Sequence, residues 1–162
     1  MIFGTTGTQL AFPRLMAALN DLAPELGEAI IAQAGPESGA TAAYPNLEIR
    51  DHLVPAEYAR LVAEARVIVA HAGIGSILTA RQNTKPLILV PRRHDLSEHR
   101  NDHQLATASQ VASLEGVNIA WDMDELGQLL RRTDLTPASE NDGSGHREEL
   151  TTFIQGWLSG KA

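Results

Sequence analysis

The chain has 162 residues, 43% of them hydrophobic and 20% charged, with a formal net charge of −7 and an isoelectric point near 5.3. This length and composition predict one globular domain over residues 1–162, and the acidic balance argues against nucleic acid as a partner. The absence of cysteine excludes disulfides and thiolate metal sites, and a reducing compartment is compatible with it.

The sequence shows neither a membrane span nor a secretory signal. No stretch approaches the ~20 apolar residues of a transmembrane helix. The N-terminus, "MIFGTTGTQL", lacks a basic start and a long apolar core. Because the chain opens almost directly on an apolar pair and a glycine- and threonine-rich turn, we expect no domain ahead of it.

In chain order, short apolar runs alternate with segments of helical periodicity. Strands are predicted for "MIF", "EAIIAQAG", "NLEIRDHL", "RVIVAH", "KPLILVP" and "VNIAW". Helices are predicted for "LAFPRLMAALNDLA", "PAEYARLVAEA", "IGSILTARQN", "HQLATASQVASLEG", "DMDELGQLLRR" and "REELTTFIQGWLSG". Residues 133–145 are expected to form a flexible loop before the last helix, since they are rich in Ser, Gly, Asp and Asn.

This alternation predicts an α/β fold, Rossmann-like and doubly wound, with a mostly parallel sheet. In such folds ligands bind beyond the carboxyl ends of the strands, near a topological switch point. Three loops that follow predicted strands have unusual compositions, namely those after "MIF", "RVIVAH" and "KPLILVP". They are therefore the candidate functional loops.

The first two of these loops, "GTTGTQ" and "HAGIGS", each join a strand to a helix through glycines. Glycine lets backbone N–H groups face a ligand, threonine hydroxyls add donors, and a helix start carries a positive dipole end. Both loops are candidate phosphate sites, and Ser76 could either cap its helix or donate to a phosphate. The alternatives are a structural turn in the first loop and close strand–helix packing in the second. His71 alone is more typical of a structural histidine than of a catalytic one.

The third loop, "PRRHDLSEHRNDHQ", is dense in charged and polar side chains. Such density is usual in a solvated loop. His94, His99, His103 and Asp95 are metal ligands by type, but their spacing fits no compact site unless His99 and His103 share a helix face. The other interpretation is a loop that recognises sugar hydroxyls through hydrogen bonds.

Residues 67–108, "VIVAHAGIGSILTARQNTKPLILVPRRHDLSEHRNDHQLATA", resemble the C-terminal donor-binding domain of family 28 glycosyltransferases. The segments "HAGIGS" and "EHRNDHQ" at this spacing carry the resemblance, which extends more loosely from "GTTGTQLAFPRLMAAL" to "DELGQLL". The single-domain type is similar to the small subunits of two-component bacterial exopolysaccharide glycosyltransferases and of the eukaryotic GlcNAc transferase for dolichol-linked chitobiose. The resemblance implies one half of a GT-B fold and a UDP-sugar as substrate.

The resemblance also implies which residues meet the UDP-sugar. The phosphate-binding set is Thr5, Thr6, Gly7, Gly73, Gly75 and Ser76. The nucleoside-binding set is Leu53, Val54, Thr79 and Glu98, with the backbone of the first two at the uracil. The sugar-binding set is His99, His103 and Gln104. Many members bind the ribose through a glutamate at the position of Thr79. The two alternatives here are that Glu98 substitutes for it and that the ribose is held more loosely.

For catalysis, the resemblance implies no metal and no other cofactor. Backbone dipoles and basic groups, here Arg92 or Arg93, could offset the charge of the leaving diphosphate. In the family the general base lies in the N-terminal half, which we expect this chain to lack, so no catalytic residue is assigned and the base is expected on a partner.

The expected function is the donor-binding subunit of a hexosyltransferase in polysaccharide or lipid-linked glycan synthesis. It would be inactive without a separate membrane-anchored acceptor-binding subunit, through which it would lie in the cytoplasm at the inner membrane. One alternative is a non-catalytic module that binds or senses nucleotide-sugars. An independent hydrolase or epimerase that uses the histidine loop is less favoured. Without its partner, the chain could self-associate through an exposed apolar face.

Overall fold

The computed structural model describes residues 1–8, 10–35 and 43–139. Within them the strands are β1 (Ile2–Thr5), β2 (Ile30–Gln33), β3 (Glu48–Arg50), β4 (Val67–His71), β5 (Leu87–Val90) and β6 (Val117–Ile119). The helices are α1 (Pro13–Leu26), α2 (Pro55–Glu64), α3 (Ile74–Gln82), α4 (His103–Val111) and α5 (Met123–Arg131). Residues 133–139 form neither helix nor strand, while the rest of the predicted loop and the predicted C-terminal helix lie outside the described residues.

The six strands form one sheet in the order β3-β2-β1-β4-β5-β6, and all strand pairs are parallel. This order confirms the predicted Rossmann-like, doubly wound α/β fold. The chain builds outward from β1 to β3, then returns to β4 on the other side of β1. The switch point therefore lies between β1 and β4, where Thr5 pairs with Ala70. Because the strands are parallel, the loops after β1, β4 and β5 meet at one edge.

Helices cover both faces of the sheet. One apolar layer joins α1 and α5 to the sheet, and a second joins α2, α3 and α4 to the opposite face. Successive residues of a strand alternate between the two layers, as Val67 and Ile68 of β4 do. Burial on both faces explains why the strands read as continuous apolar runs.

Several predicted boundaries differ from the structure, and two of these differences have a clear physical cause. Strand β1 extends to Thr5, into the predicted loop, because Gly4 and Thr5 pair with both β2 and β4. Helix α4 ends at Val111 and not at Gly116. Gly116 instead adopts a φ of +74° beneath the chain at Ala138, where an added Cβ would lie 2.1 Å from the Ala138 nitrogen. The long-range contact with Ala138, which local periodicity does not encode, requires glycine there.

Candidate functional site

The loop after β1 is held by Gln33, a buried residue at the end of β2. Thr5 Oγ1 donates to Gln33 Oε1 and Thr6 Oγ1 donates to the Gln33 carbonyl, each at 3.3 Å, and both threonines are buried. The N–H of Gly7 donates to Thr5 Oγ1 at 3.3 Å. The two hydroxyls thus bond to protein groups and do not face outward as predicted. The N–H of Thr6 also donates to the Gln33 carbonyl, at 3.0 Å, so the N–H groups of Thr6 and Gly7 are both engaged within the protein.

The loop after β4 turns into α3 at Gly73. No side chain caps this helix start, so the prediction that Ser76 could be the cap is wrong. Ser76 is buried at the third position of the helix, and its N–H donates to the Gly73 carbonyl at 3.1 Å. An added Cβ at Gly75 would meet no atom within 4 Å. The uncapped first turn of α3 is therefore open at Gly75, and its positive dipole end suits an anion.

His71, the last residue of β4, contacts both glycine loops. An added Cβ at Gly73 would lie 2.5 Å from His71 Nε2, and one at Gly7 would lie 3.0 Å from His71 Cε1. Gly7 also has a φ of +81°, a conformation that favours glycine. Packing against the imidazole therefore accounts for Gly7 and Gly73, which was one of the alternatives for these loops. It does not account for Gly75.

The His71 ring is neutral at physiological pH. The pKa of His71 is lowered to about 4, chiefly by burial and also by the positive charge of Arg92, while the backbone of Thr5 counteracts this in part. His71 Nδ1 is buried and makes no well-formed hydrogen bond to the described residues. These properties favour the structural interpretation of His71, as a neutral spacer between two loops.

The loop after β5 sends Arg92 into the protein, where it is only 2% exposed. Its guanidinium donates to the carbonyls of Ala11, Leu10 (2.7 Å) and Thr6 (3.2 Å) and lies 4.4 Å from the centroid of the Phe12 ring. Burial is the main cause that lowers the pKa of Arg92 to about 10, so the group stays charged at neutral pH. Arg92 is thus occupied by the loop after β1 and does not reach outward to a diphosphate.

Glu98 ties the same loop to α1. Its carboxylate accepts from Arg14 Nε at 2.6 Å and Nη2 at 2.8 Å, and also from the Arg93 N–H at 3.0 Å. The Glu98 side chain is 9% exposed, and both of its oxygens are engaged. A ribose contact from Glu98 would require this clamp to open. The Arg93 side chain is exposed and pairs with Asp95 at 2.7 Å.

The predicted sugar-binding residues lie at the start of α4. His103 is exposed at the first position of the helix, and Gln104 is buried at the second. Gln104 Oε1 accepts from the Arg92 N–H at 3.0 Å, which leaves the amide nitrogen of Gln104 for a ligand. His99 lies nearby in sequence, with Nδ1 3.1 Å from Asn101 Oδ1. Their contacts with a sugar stay a prediction.

Apart from Glu98, the predicted nucleoside-binding residues lie just before α2 and on α3. Leu53 is buried in the core, and Val54, just before α2, is 56% exposed. Thr79 lies half-buried on α3, where its carbonyl accepts from Asn83 Nδ2 at 2.8 Å. Because the Leu53 side chain is buried, a contact between Leu53 and a base would come from its backbone. This contact stays a prediction.

The metal interpretation of the histidine loop finds no support in the geometry. Among residues 1–8, 10–35 and 43–139, no three His, Asp or Glu side chains come close enough to hold one ion. His94 and His99 instead face backbone and amide oxygens of their own loop.

Residues 1–148 match the model of the glycosyltransferase family 28 C-terminal domain. The chain belongs to this family. The match covers both glycine loops, the histidine loop and all three predicted residue sets. It thereby supports the resemblance that the sequence showed over residues 67–108.

Solved structures share the fold of this family 28 domain. The glycotransferase of kitacinnamycin is 22% identical with a TM-score of 0.62, and the match covers 93% of this chain and 39% of that one. MurG of Acinetobacter baumannii is 23% identical with a TM-score of 0.60, with 83% and 42% covered. ALG13 is 18% identical with a TM-score of 0.63, with 95% and 96% covered. The chain thus spans about two fifths of the first two proteins and nearly all of ALG13. No curated protein matches it in sequence.

Sequence reasoning missed two residues that build the site, Gln33 and Arg14. Gln33 did leave a signal, because a polar residue ends the otherwise apolar strand "IIAQ". Arg14 left none, since its partner Glu98 is 84 positions away in the chain.

Proposed function

We propose that this family 28 domain is the donor-binding component of a glycosyltransferase that uses a UDP-sugar. The observation that carries the proposal is the uncapped start of α3, open at Gly75, beside the glycine loop after β1. Backbone N–H groups at a helix start favour a diphosphate, and doubly wound folds bind ligands at this switch point.

The proposed donor runs along the carboxyl edge of the sheet. The diphosphate lies between Thr5, Thr6 and Gly7 on one side and Gly73, Gly75 and Ser76 on the other. The nucleoside is bound by Leu53, Val54 and Thr79, and the sugar by His99, His103 and Gln104. Glu98 is not included, since Arg14 and the Arg93 backbone already occupy its carboxylate.

The proposed reaction transfers the sugar from UDP to an acceptor hydroxyl. The bond between the anomeric carbon and the diphosphate oxygen breaks, the acceptor oxygen bonds to that carbon, and UDP leaves with the bonding electrons. The helix starts of α1 and α3 and the buried charge of Arg92 favour this anion. We propose no metal or other cofactor, and a base on a partner chain to take the acceptor proton.

We further propose that the partner is a membrane-anchored, acceptor-binding subunit. Among the described residues, the exposed large hydrophobic side chains are Leu10, Val54, Leu96 and Trp121. Each follows a strand, so all four rim the carboxyl edge that bears the donor site. An apolar rim of this kind favours cover by another protein, or self-association when that protein is absent. No helix in the described part of the chain is long and apolar enough to cross a membrane. The proposed partner would hold the chain at the inner membrane.

Calorimetric titration tests donor binding. UDP and a panel of UDP-sugars are titrated into the wild-type chain and into Gly75→Val, with ADP as the nucleotide control. We expect the wild type to bind UDP and at least one UDP-sugar, and Gly75→Val to bind neither. UDP affinity that is equal in the two proteins would contradict the phosphate site, and absence of binding to the wild type would overturn the proposed function.

Transfer itself is tested with a labelled UDP-sugar and a lipid acceptor. The purified chain is assayed alone and together with membranes of the source cell, and label in the lipid fraction is counted. We expect transfer only with the membranes. Rapid transfer by the chain alone would contradict the need for a partner. Tight binding of a UDP-sugar without transfer in either assay would favour the non-catalytic binding module.

A further inference from the structure

Arg92 is a buried cation whose guanidinium hydrogen-bonds to backbone carbonyls. It donates to the carbonyls of Thr6, Leu10 and Ala11. The carboxylate of Glu98, whose charge acts on Arg92, forms its ion pair with Arg14 instead. A buried charge is costly unless hydrogen bonds compensate it. Here three hydrogen bonds to carbonyls compensate the charge of Arg92, and all three come from the loop after β1.

The guanidinium determines which way the peptide groups of that loop point. In a trans peptide the C=O and the following N–H point in opposite directions. Because the Leu10 and Ala11 carbonyls point at Arg92, the N–H groups of Ala11 and Phe12 point away from it. These two groups directly precede α1, which begins at Pro13 and has no side-chain cap. Arg92 thus fixes the direction of two backbone donors just before α1, on the side away from its guanidinium.

The Phe12 ring lies close to two cations. The Arg92 guanidinium carbon is 4.4 Å from the ring centroid, and that of Arg14 is 5.3 Å away. Both distances are within the range of cation–π attraction. Two positive charges beside a helix start oppose the helix dipole. Of these two, and within the described ranges, only the guanidinium of Arg14 is paired with a carboxylate, that of Glu98. The loop after β1 therefore lies in a positive potential that an anion would relieve.

The backbone of Arg92 reaches the other side of the site. Its N–H donates to Gln104 Oε1 at 3.0 Å, which orients the amide of a predicted sugar-binding residue. One residue therefore holds the loop after β1 through its side chain and the start of α4 through its main chain.

We propose that Arg92 is a positioning residue for donor binding, which orients the backbone of residues 6–8 and 10–12 toward the diphosphate without touching the donor. This inference rests on the proposed function. Its effect depends on the planar fork of the guanidinium, which contacts three carbonyls at once. A lysine carries the same charge but cannot reproduce the fork.

The test compares Arg92→Lys and Arg92→Met with the wild type, at a temperature where circular dichroism shows each variant folded. UDP binding is measured by calorimetry and uridine binding by ligand-observed NMR. We expect both variants to bind UDP about tenfold more weakly or worse, since charge-assisted hydrogen bonds orient the loop. Uridine affinity should not change, because uridine lacks the diphosphate. The matched controls are Arg60→Lys and Arg60→Met, on an exposed ion pair of α2, and these should match the wild type.

Three results would overturn the inference. The first is a UDP affinity of folded Arg92→Met within about twofold of the wild type. The second is a wild-type UDP affinity in Arg92→Lys. The third is a loss of uridine affinity as large as the loss of UDP affinity. If Arg92→Met does not fold, UDP and uridine affinities are compared in Arg92→Lys and in Phe12→Leu instead. The Phe12→Leu variant removes the ring that lies against the Arg92 guanidinium.

Hydrogen exchange separates this inference from the proposed function. In the ligand-free protein, amides of residues 6–8 and 10–12 should exchange faster in Arg92→Lys than in the wild type. Unchanged exchange overturns the inference alone, whatever the nucleotide result. Failure of the wild-type chain to bind any uridine nucleotide overturns the proposed function, and with it the role of Arg92 in donor binding.

Discussion

His71 and Gly73 are packed so closely that a Cβ at position 73 would lie 2.5 Å from His71 Nε2. The end of β4 and the start of α3 therefore brace each other through an imidazole and a bare backbone. Gly75, two residues on, has no such neighbour within 4 Å. Glycine is thus required at position 73 by packing against His71, but not at position 75. Substitutions at the two positions can therefore distinguish an effect on folding from an effect on ligand binding.

Gly73→Ala should destabilise the fold, whereas Gly75→Val should impair only ligand binding. At position 73 the imidazole or the backbone must shift, at a cost of about 1–3 kcal/mol in the free energy of unfolding. At position 75 a side chain enters open space, and valine has a slightly better helix propensity than glycine, so stability should change by less than about 0.5 kcal/mol. Urea unfolding measures both, and UDP titration completes the comparison.

The double variant His71→Ala, Gly73→Ala is the control for the first part of this prediction. Removal of the ring should recover part of the stability that Gly73→Ala loses, because the colliding atoms are gone. A double variant whose loss equals the sum of the two single losses would show that the ring is not the obstacle.

His71 should make stability depend on pH. The folded pKa of about 4 lies below the ordinary 6.5, chiefly because of burial. As the pH falls from 6.5 toward 4, the unfolded chain takes up a proton at His71 that the folded chain does not. The free energy of unfolding therefore falls over this window, by up to about 3 kcal/mol from this group. Above pH 6.5 His71 is neutral in both states, so none of this stability is lost.

Urea unfolding of the wild type and of His71→Gln across this pH window measures the effect. We expect the wild type to lose more stability than the variant as the pH falls, because the variant has no group to protonate at this position. Parallel pH profiles of the two proteins would contradict the lowered pKa.

The Arg14–Glu98 clamp should contribute more to stability than an exposed ion pair. Glu98 is 9% exposed and also accepts from the Arg93 backbone, so Glu98→Gln should lower the free energy of unfolding by about 1–3 kcal/mol. The exposed Arg60–Glu64 pair on α2 is the control, and Glu64→Gln should cost less than about 0.5 kcal/mol. Thermal unfolding of both variants decides the matter, and equal losses would show that burial of Glu98 adds nothing.

His103 and Gln104 should differ in their effects on folding, although both are predicted sugar contacts. His103 is exposed, so His103→Ala should leave the unfolding temperature unchanged and lower the preference for a UDP-sugar over UDP. Gln104 is buried and accepts from the Arg92 N–H, so Gln104→Leu should also cost about 1–2 kcal/mol of stability. Titration of UDP and a UDP-sugar, with thermal unfolding, tests both. A His103→Ala variant with an unchanged preference would remove His103 from the sugar site.

Much of the fold could be predicted from local patterns. Continuous apolar runs such as "VIVA" indicate strands buried on both faces, and Pro55 marks the first position of α2, as the structure confirms. Their alternation predicts the doubly wound sheet. The residue types of "HAGIGS" and "EHRNDHQ" indicate the family as well, because their identity and spacing are properties of the sequence alone.

The roles of individual side chains were decided only by tertiary structure. Thr5, Thr6 and Arg92 have the chemistry of ligand-binding groups, yet their polar atoms bond to Gln33 and to the carbonyls of Thr6, Leu10 and Ala11. The reason is physical: a buried polar group must find a partner, and long-range packing decides whether that partner is protein or ligand. Motif and spacing thus determined the class of fold and the loops that matter. The contacts of His71 with Gly7 and Gly73, and of Arg92 with the carbonyls after β1, became visible only once distant segments were packed together.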